Sequence, residues 1–175
     1  ASYNEARMLP ASSDGQLVLY SNLEIHPVST QHTYIDYWGT RVTSFEILAP
    51  HTELSLTATS LVEVRERDHP QHRLTWDALA DEIERRTEYV EQLDQTPRTA
   101  PPDEVVEIAR ELVVRAGSPC DAALEICHAI GERIEYMPGV TGVHTTAAEA
   151  WDHKRGVCQD ITHLAIGALR SVGIP

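Results

Sequence analysis

The chain has 175 residues, 42% of them hydrophobic. A chain of that length buries roughly 70% of its unfolded surface without disulfide staples, so one domain or two small ones are feasible. Its formal charge is -13, from 27 acidic against 14 basic residues, and more than half of that excess lies between Asp77 and Glu111, where eleven acids meet four arginines. That balance speaks against phosphate-backbone binding, so no nucleic-acid partner is expected. No apolar run is long enough for a membrane helix, so no membrane partner is expected either. The first residue is Ala1, with no leader pattern after it, and the start is expected to be missing or processed. Cys120, Cys127 and Cys158 are too few for a disulfide scaffold, which points to a reducing, cytoplasmic setting.

The first third alternates with period two. In QLVLYSNLEI, Leu17, Leu19, Leu23 and Ile25 fall on one face. HTYIDYWGTRVTSFEIL reads as a hairpin, Tyr34 to Trp38 and Val42 to Leu48 around a turn at Gly39 and Thr40. LSLTATSLVEV alternates again through Leu54, Leu56, Ala58, Val62 and Val64. These signals predict an antiparallel sheet or β-sandwich over residues 1–65.

From Trp76 the period becomes helical, through Leu79, Ala80, Ile83, Thr87 and Val90, with Thr75 as N-cap. The acidic face of this region reads as solvated surface. TPRTAPPD breaks the helix, so residues 66–102 are expected to form a helical connector and proline-rich linker. Residues 103–175 then carry four further helices. The first runs from about Asp103 to Ala116. The second opens at SPCD, capped by Ser118, with Leu124, Cys127, Ile130 and Ile134 as its buried stripe, which reads Cys127 as a small core residue. A glycine-rich loop leads to a short helix with the capping-box pair Thr146 and Glu149, on which Trp151 is expected to pack in the core. The last helix begins near Cys158 and turns Leu164, Ala168, Leu169 and Val172 inward before Gly173 and Pro175 stop it.

Cys158 is the candidate nucleophile, although a lone cysteine ahead of a helix is, on the physics alone, more often inert. A thiol attacks as its thiolate, and an unassisted thiol, with a pKa near ~8.5, is only a few per cent ionised at neutral pH. A helix N-terminus favours the anion by about 0.3–1 kcal/mol, less than one pKa unit, so an imidazolium oriented by Asp or Asn is needed as well. The Cys158 N–H is positioned to serve as an oxyanion donor. His163, five residues on, points about 140° around the helix from the thiol. His144 and His153 read as surface or capping residues. Asp160 reads equally as a helix-start anion or a catalytic group. The nine histidines include no HExxH and no Cys–His ligand spacing, so no metal site and no cofactor are expected.

The segment RGVCQD followed by ALRSVGIP resembles the transglutaminase-like superfamily, whose cysteine opens a helix in a G-x-C context ahead of L-R-x-x-G-I-P. IEYMPGVTGVHTTAAEAW looks like the stretch before that cysteine in bacterial members. YNEARMLP, DYWGTRVTSFEI and PHTELSLTATS resemble the bacterial transglutaminase-like N-terminal region, a β-sandwich. The resemblance implies an α+β chain, a sandwich lacking its first strand followed by the helical first half of a papain-like cysteine core that stops short of its β-sheet. It implies a Cys–His–Asp triad of which only the cysteine carries over, to Cys158, with the His and Asp beyond residue 175, so this chain is expected to be an inactive piece of a larger enzyme. Attack on a carboxamide or peptide bond of a protein or peptide substrate would give a thioester, resolved by water or an amine. Truncation is then expected to expose Leu164, Ala168, Leu169 and Val172 and to invite self-association. The competing readings are a protein-interaction module with a vestigial cysteine core and a redox-sensing thiol.

Overall fold

A computed structural model describes residues 1–13, 15–27, 30–65 and 74–175. The chain divides into two compact units, Ala1–His69 and Pro70–Pro175. The connector segment 66–73 lies outside the described residues.

The first unit holds five strands: β1 (Ser2–Ala6), β2 (Gln16–His26), β3 (Thr30–Ile35), β4 (Arg41–Ile47) and β5 (Ser55–Val64). An antiparallel sheet of order β1–β4–β3 faces an antiparallel ribbon of β2 and β5 across a small core of Ala6, Leu23, Ile25, Phe45 and Ile47. The predicted hairpin is present, its turn capped by Asp36, whose Oδ1 accepts the N–H groups of Trp38 (3.0 Å) and Thr40 (2.9 Å). The strand β1, which carries no strong alternation, was not expected.

The alternating faces survive only in part. Leu23 and Ile25 are buried, but Leu17 and Leu19 are exposed, because a register shift between Val18 and Tyr20 flips the inward side of β2. On β5, Leu56 packs against the core, whereas Val62 and Val64 lie on the half of the ribbon that reaches past it.

The second unit is helical: α1 (Trp76–Arg85), α2 (Glu88–Leu93), α3 (Asp103–Arg115), α4 (Pro119–Gly131), α5 (Ala147–His153) and α6 (Cys158–Ser171). Thr75, Ser118 and Thr146 cap α1, α4 and α5 as their side chains suggest. The first predicted helix is broken: Arg86 leaves helical geometry at φ -120°, ψ 115°, and Val90 beyond it is exposed. Only the α1 part of its stripe reaches a core, Leu79 packing with Ala122 and Ile174.

On α4 the predicted stripe is rotated. Ala122, Ile126 and Ile130 face inward, while Leu124 and Cys127 are exposed, so Cys127 is a surface thiol and not a core residue. Its sequence, PCDAALEICHAIG, is apolar on several sides, and periodicity alone cannot phase such a helix.

Helix α6 packs on α3, α4 and α5. Leu164 and Ala168 are completely buried among Val105, Ala109, Ile126, Ile130 and Trp151, and Leu169 and Val172 are half-buried beside them. The expected exposure of this stripe is therefore corrected: helices of the unit itself cover it. The proline-rich 94–102 segment adds to that cover. Gln95 Nε2 donates to the Gly167 carbonyl (2.9 Å), and Arg170 donates to the Gln92 carbonyl (2.5 Å) and the Thr99 hydroxyl (3.1 Å). Gly167 is glycine because a Cβ there would lie 1.8 Å from the Thr99 carbonyl oxygen.

Candidate active site around Cys158

The site is assembled where two very short strands, β6 (Glu135–Tyr136) and β7 (Arg155–Gly156), run parallel and deliver the chain to the start of α6. Lys154 ends α5 in the left-handed conformation (φ 52°), turning the chain from that helix into β7. Its ammonium sits 3.2 Å over the Trp151 ring. Trp151 is a core residue, 2% exposed, with its indole N–H on Glu104 Oε2 at 2.7 Å.

Cys158 is the first residue of α6, and its thiol is exposed. The N–H groups of Cys158 and Gln159, in the helix's first turn, have no acceptor among the described residues. The helix therefore presents two free backbone donors and the positive end of its dipole beside the Cys158 sulfur.

Asp160 holds this turn in shape. It is 1% exposed, and its Oδ2 accepts the Val157 N–H (2.7 Å) and the Thr141 hydroxyl (2.6 Å). This is the carboxylate half of a capping box; Val157 has no side-chain oxygen to supply the other half. Gly156 makes room for it, since a Cβ there would come within 2.7 Å of both Asp160 Cβ and Oδ2. Gln159 reaches back to the Gly142 carbonyl (3.4 Å), so both residues after the cysteine fasten the 139–145 loop to α6. Of the two readings open for Asp160, the structure shows the helix-start anion, turned inward and away from solvent. The Thr141 contact with Asp160 was not anticipated.

Beside that loop lies a pocket of about 300 Å³ lined by Thr141, His144, Thr145, Glu149 and His153. His144 Nδ1 accepts from the Arg98 guanidinium at 3.1 Å. The backbone N–H of Thr146, and next its hydroxyl, hold the Glu149 carboxyl below the usual carboxylate range, and the neighbouring His153 adds to this. No histidine among the described residues hydrogen-bonds the Cys158 thiol, and His163 Nδ1 is buried without a partner. No group of three His, Cys, Asp or Glu side chains among them is placed to hold a metal ion. No helix of the structure is long and apolar enough to cross a membrane.

The comparisons follow this division. Residues 1–63 match the bacterial transglutaminase-like N-terminal region, and residues 106–175 match the transglutaminase-like superfamily. An uncharacterized protein of Mycobacterium leprae is 37% identical over 177 residues, a match that takes in all of this chain and 62% of that protein. One from Mycobacterium tuberculosis strain H37Rv is 27% identical over 191 residues, covering 99% of this chain and 57% of its own length. The chain thus spans about three fifths of the curated relatives it matches. The crystal structure of "a Putative Cysteine Protease from Cytophaga hutchinsonii" superposes with a TM-score of 0.75 at 20% identity, over 99% of this chain and 58% of that one, and so shares the fold. By these family matches, residues 106–175 belong to the transglutaminase-like superfamily, and residues 1–63 are a bacterial transglutaminase-like N-terminal region.

Proposed function

We propose that Cys158 is the nucleophile of a cysteine enzyme that opens a carboxamide or peptide bond through a thioester. The observation that carries this reading is an exposed thiol at the first position of α6, in a turn whose two leading N–H groups are free and whose geometry is fixed by buried Asp160. The thiolate sulfur adds to the carbonyl carbon, and the carbonyl oxygen gathers negative charge that the Cys158 N–H is placed to accept. Collapse expels ammonia or an amine, which takes a proton from the general acid, and leaves an acyl-enzyme. Water then yields the acid, or a second amine a new amide, and the thiol is restored.

Thiolate formation needs an imidazole. The proposal places that imidazole, and the carboxylate that orients it, after residue 175 in a longer protein. A protein or peptide is the proposed substrate.

The test is the iodoacetamide alkylation rate of Cys158 from pH 5 to 10, in this chain and in a chain extended past residue 175, with Cys158→Ala as blank. The reading expects the extended protein to react with a profile at least two pH units lower, and to release ammonia or amine from a carboxamide peptide. Identical profiles and no release would remove the nucleophile role and favour a protein-interaction module, which the missing imidazole among the described residues already makes the second reading.

A further inference from the structure

The inner face of the first unit changes character halfway along. On β4, Arg41, Thr43, Phe45 and Ile47 alternate onto one side, and register places Gln31 opposite Phe45 and Thr33 opposite Thr43. Phe45 and Ile47 join Leu23 and Ile25 in the core. Arg41, Thr43, Thr33 and Gln31 continue the same face but line an open pocket of about 280 Å³ between the sheet and the Ser21–Leu23 stretch of β2, with Gln31 and Thr33 at its exposed mouth. Where alternation calls for apolar side chains, the strand carries a guanidinium. Such a break in the binary pattern is characteristic of a functional position.

Arg41 is half-buried, and its single hydrogen bond among the described residues runs from Nη1 to the neutral Ser21 hydroxyl at 3.2 Å. No carboxylate among the described residues pairs with it, in a chain of net charge -13. A guanidinium has five N–H donors, so most of this one's are unused. The side chains of Thr33, Thr43 and Gln31 likewise have no hydrogen-bond partner among the described residues, and no acidic residue lines the cavity. The Ser21 hydroxyl is committed to Arg41, and the Asn22 amide to Glu24 at 3.4 Å.

We propose that this cavity binds a carboxylate. Two carboxylate oxygens match the guanidinium fork, and neutral hydroxyl and amide donors can satisfy the remaining lone pairs. One cation without a backbone nest suits a singly charged group better than a phosphate dianion. The volume lies at the small end of ligand pockets, enough for a carboxylate with a few carbons and not for a large molecule. The group therefore comes from a short free carboxylic acid or from the end of a peptide chain.

The experiment follows the Arg41 Nε–Hε resonance of the full chain by NMR at constant ionic strength. The probes are sodium glutarate, a short peptide with a free C-terminal carboxylate, and its C-terminal amide, with sodium chloride as reference. A saturating shift with glutarate supports the site and assigns it to free acids. Saturation by the free-acid peptide alone, with the amide silent, supports it and assigns it to chain termini. Arg41→Gln is expected to abolish binding monitored at the Thr43 amide, and Thr33→Val, which keeps the charge, to weaken it by about tenfold, the loss of one hydrogen bond to a charged group. Shifts that merely follow those of chloride, or a Thr33→Val protein that binds as well as the parent, would overturn the proposal.

Discussion

The two units spend their inner surfaces differently. In the second, ten buried residues from Val105 to Ala168 form one continuous cluster, and α6, the helix that Cys158 opens, rests on it through Leu164 and Ala168. In the first, the buried cluster has five residues, and the rest of the same sheet face is polar and lines an open pocket. A site that needs sub-ångström placement of a sulfur against two N–H groups benefits from side chains that cannot repack. A small binding cavity needs the opposite, a stretch of interior left unfilled. The number of core residues is thus a guide to what each unit is built to hold.

The largest expected effect breaks the platform under the cysteine. Leu164→Ala removes a fully buried side chain at the centre of the second cluster, and should cost about 2–5 kcal/mol in urea unfolding followed by probes in α3 and α4. Strand amides of β4 report separately on the first unit. If their unfolding shifts by the same amount, the two interiors are not independent and the contrast drawn between them fails.

Next in size is Gly156→Ala, which leaves the core intact and attacks only the turn. Its new methyl would overlap Asp160 Cβ and Oδ2, so the carboxylate must release Val157, Thr141 or both. Loss of a hydrogen bond to a charged buried group costs about 1.5–3 kcal/mol. Hydrogen exchange should show the Val157 amide and the 139–145 loop losing protection while β4 keeps its own. Unchanged protection at Val157 would mean that Asp160 is not what holds the cysteine turn. Gly167→Ala makes a closer clash further along the same helix face: its methyl would lie 1.8 Å from the Thr99 carbonyl oxygen, backbone that cannot swing aside. The gain of about 1 kcal/mol in helix propensity offsets part of an overpacking cost of about 3 kcal/mol, so thermal unfolding should show a net loss of about 2 kcal/mol.

What the residues disclosed beforehand follows the same physics. Caps were legible because they are local: Ser118 and Thr146 each satisfy an N–H three residues on. The position of Cys158 at a helix start was legible for that reason and from its resemblance to a known family. The phase of α4 was not, since Leu124 and Ile126 are equally apolar and only the neighbouring helices decide between them. Nor was the bulge in β2, which reverses a strand's inward face without any glycine or proline to mark it. The TPRTAPPD stretch looked like a linker because strap contacts made by Gln95 and Thr99 have no period. The clue lay elsewhere, in a glycine placed in the interior of α6, where the loss of helix propensity calls for a close neighbour.

The smallest effect concerns the pocket beside the site. Glu149 Oε2 accepts the Thr146 N–H (2.9 Å) and hydroxyl (2.8 Å), which hold its pKa below the ordinary 4.5 of an unfolded glutamate. The stabilisation is therefore fully present above that ordinary value and is lost as pH falls through the lower, folded one. Exchange of the Thr146 amide, followed by NMR from neutral pH down through that window, should lose its protection on acidification. In Glu149→Gln the side chain keeps an acceptor but no longer titrates, so the loss should flatten; in Glu149→Ala protection should be low at every pH. A Glu149→Gln profile as steep as the parent's would place the titrating group elsewhere.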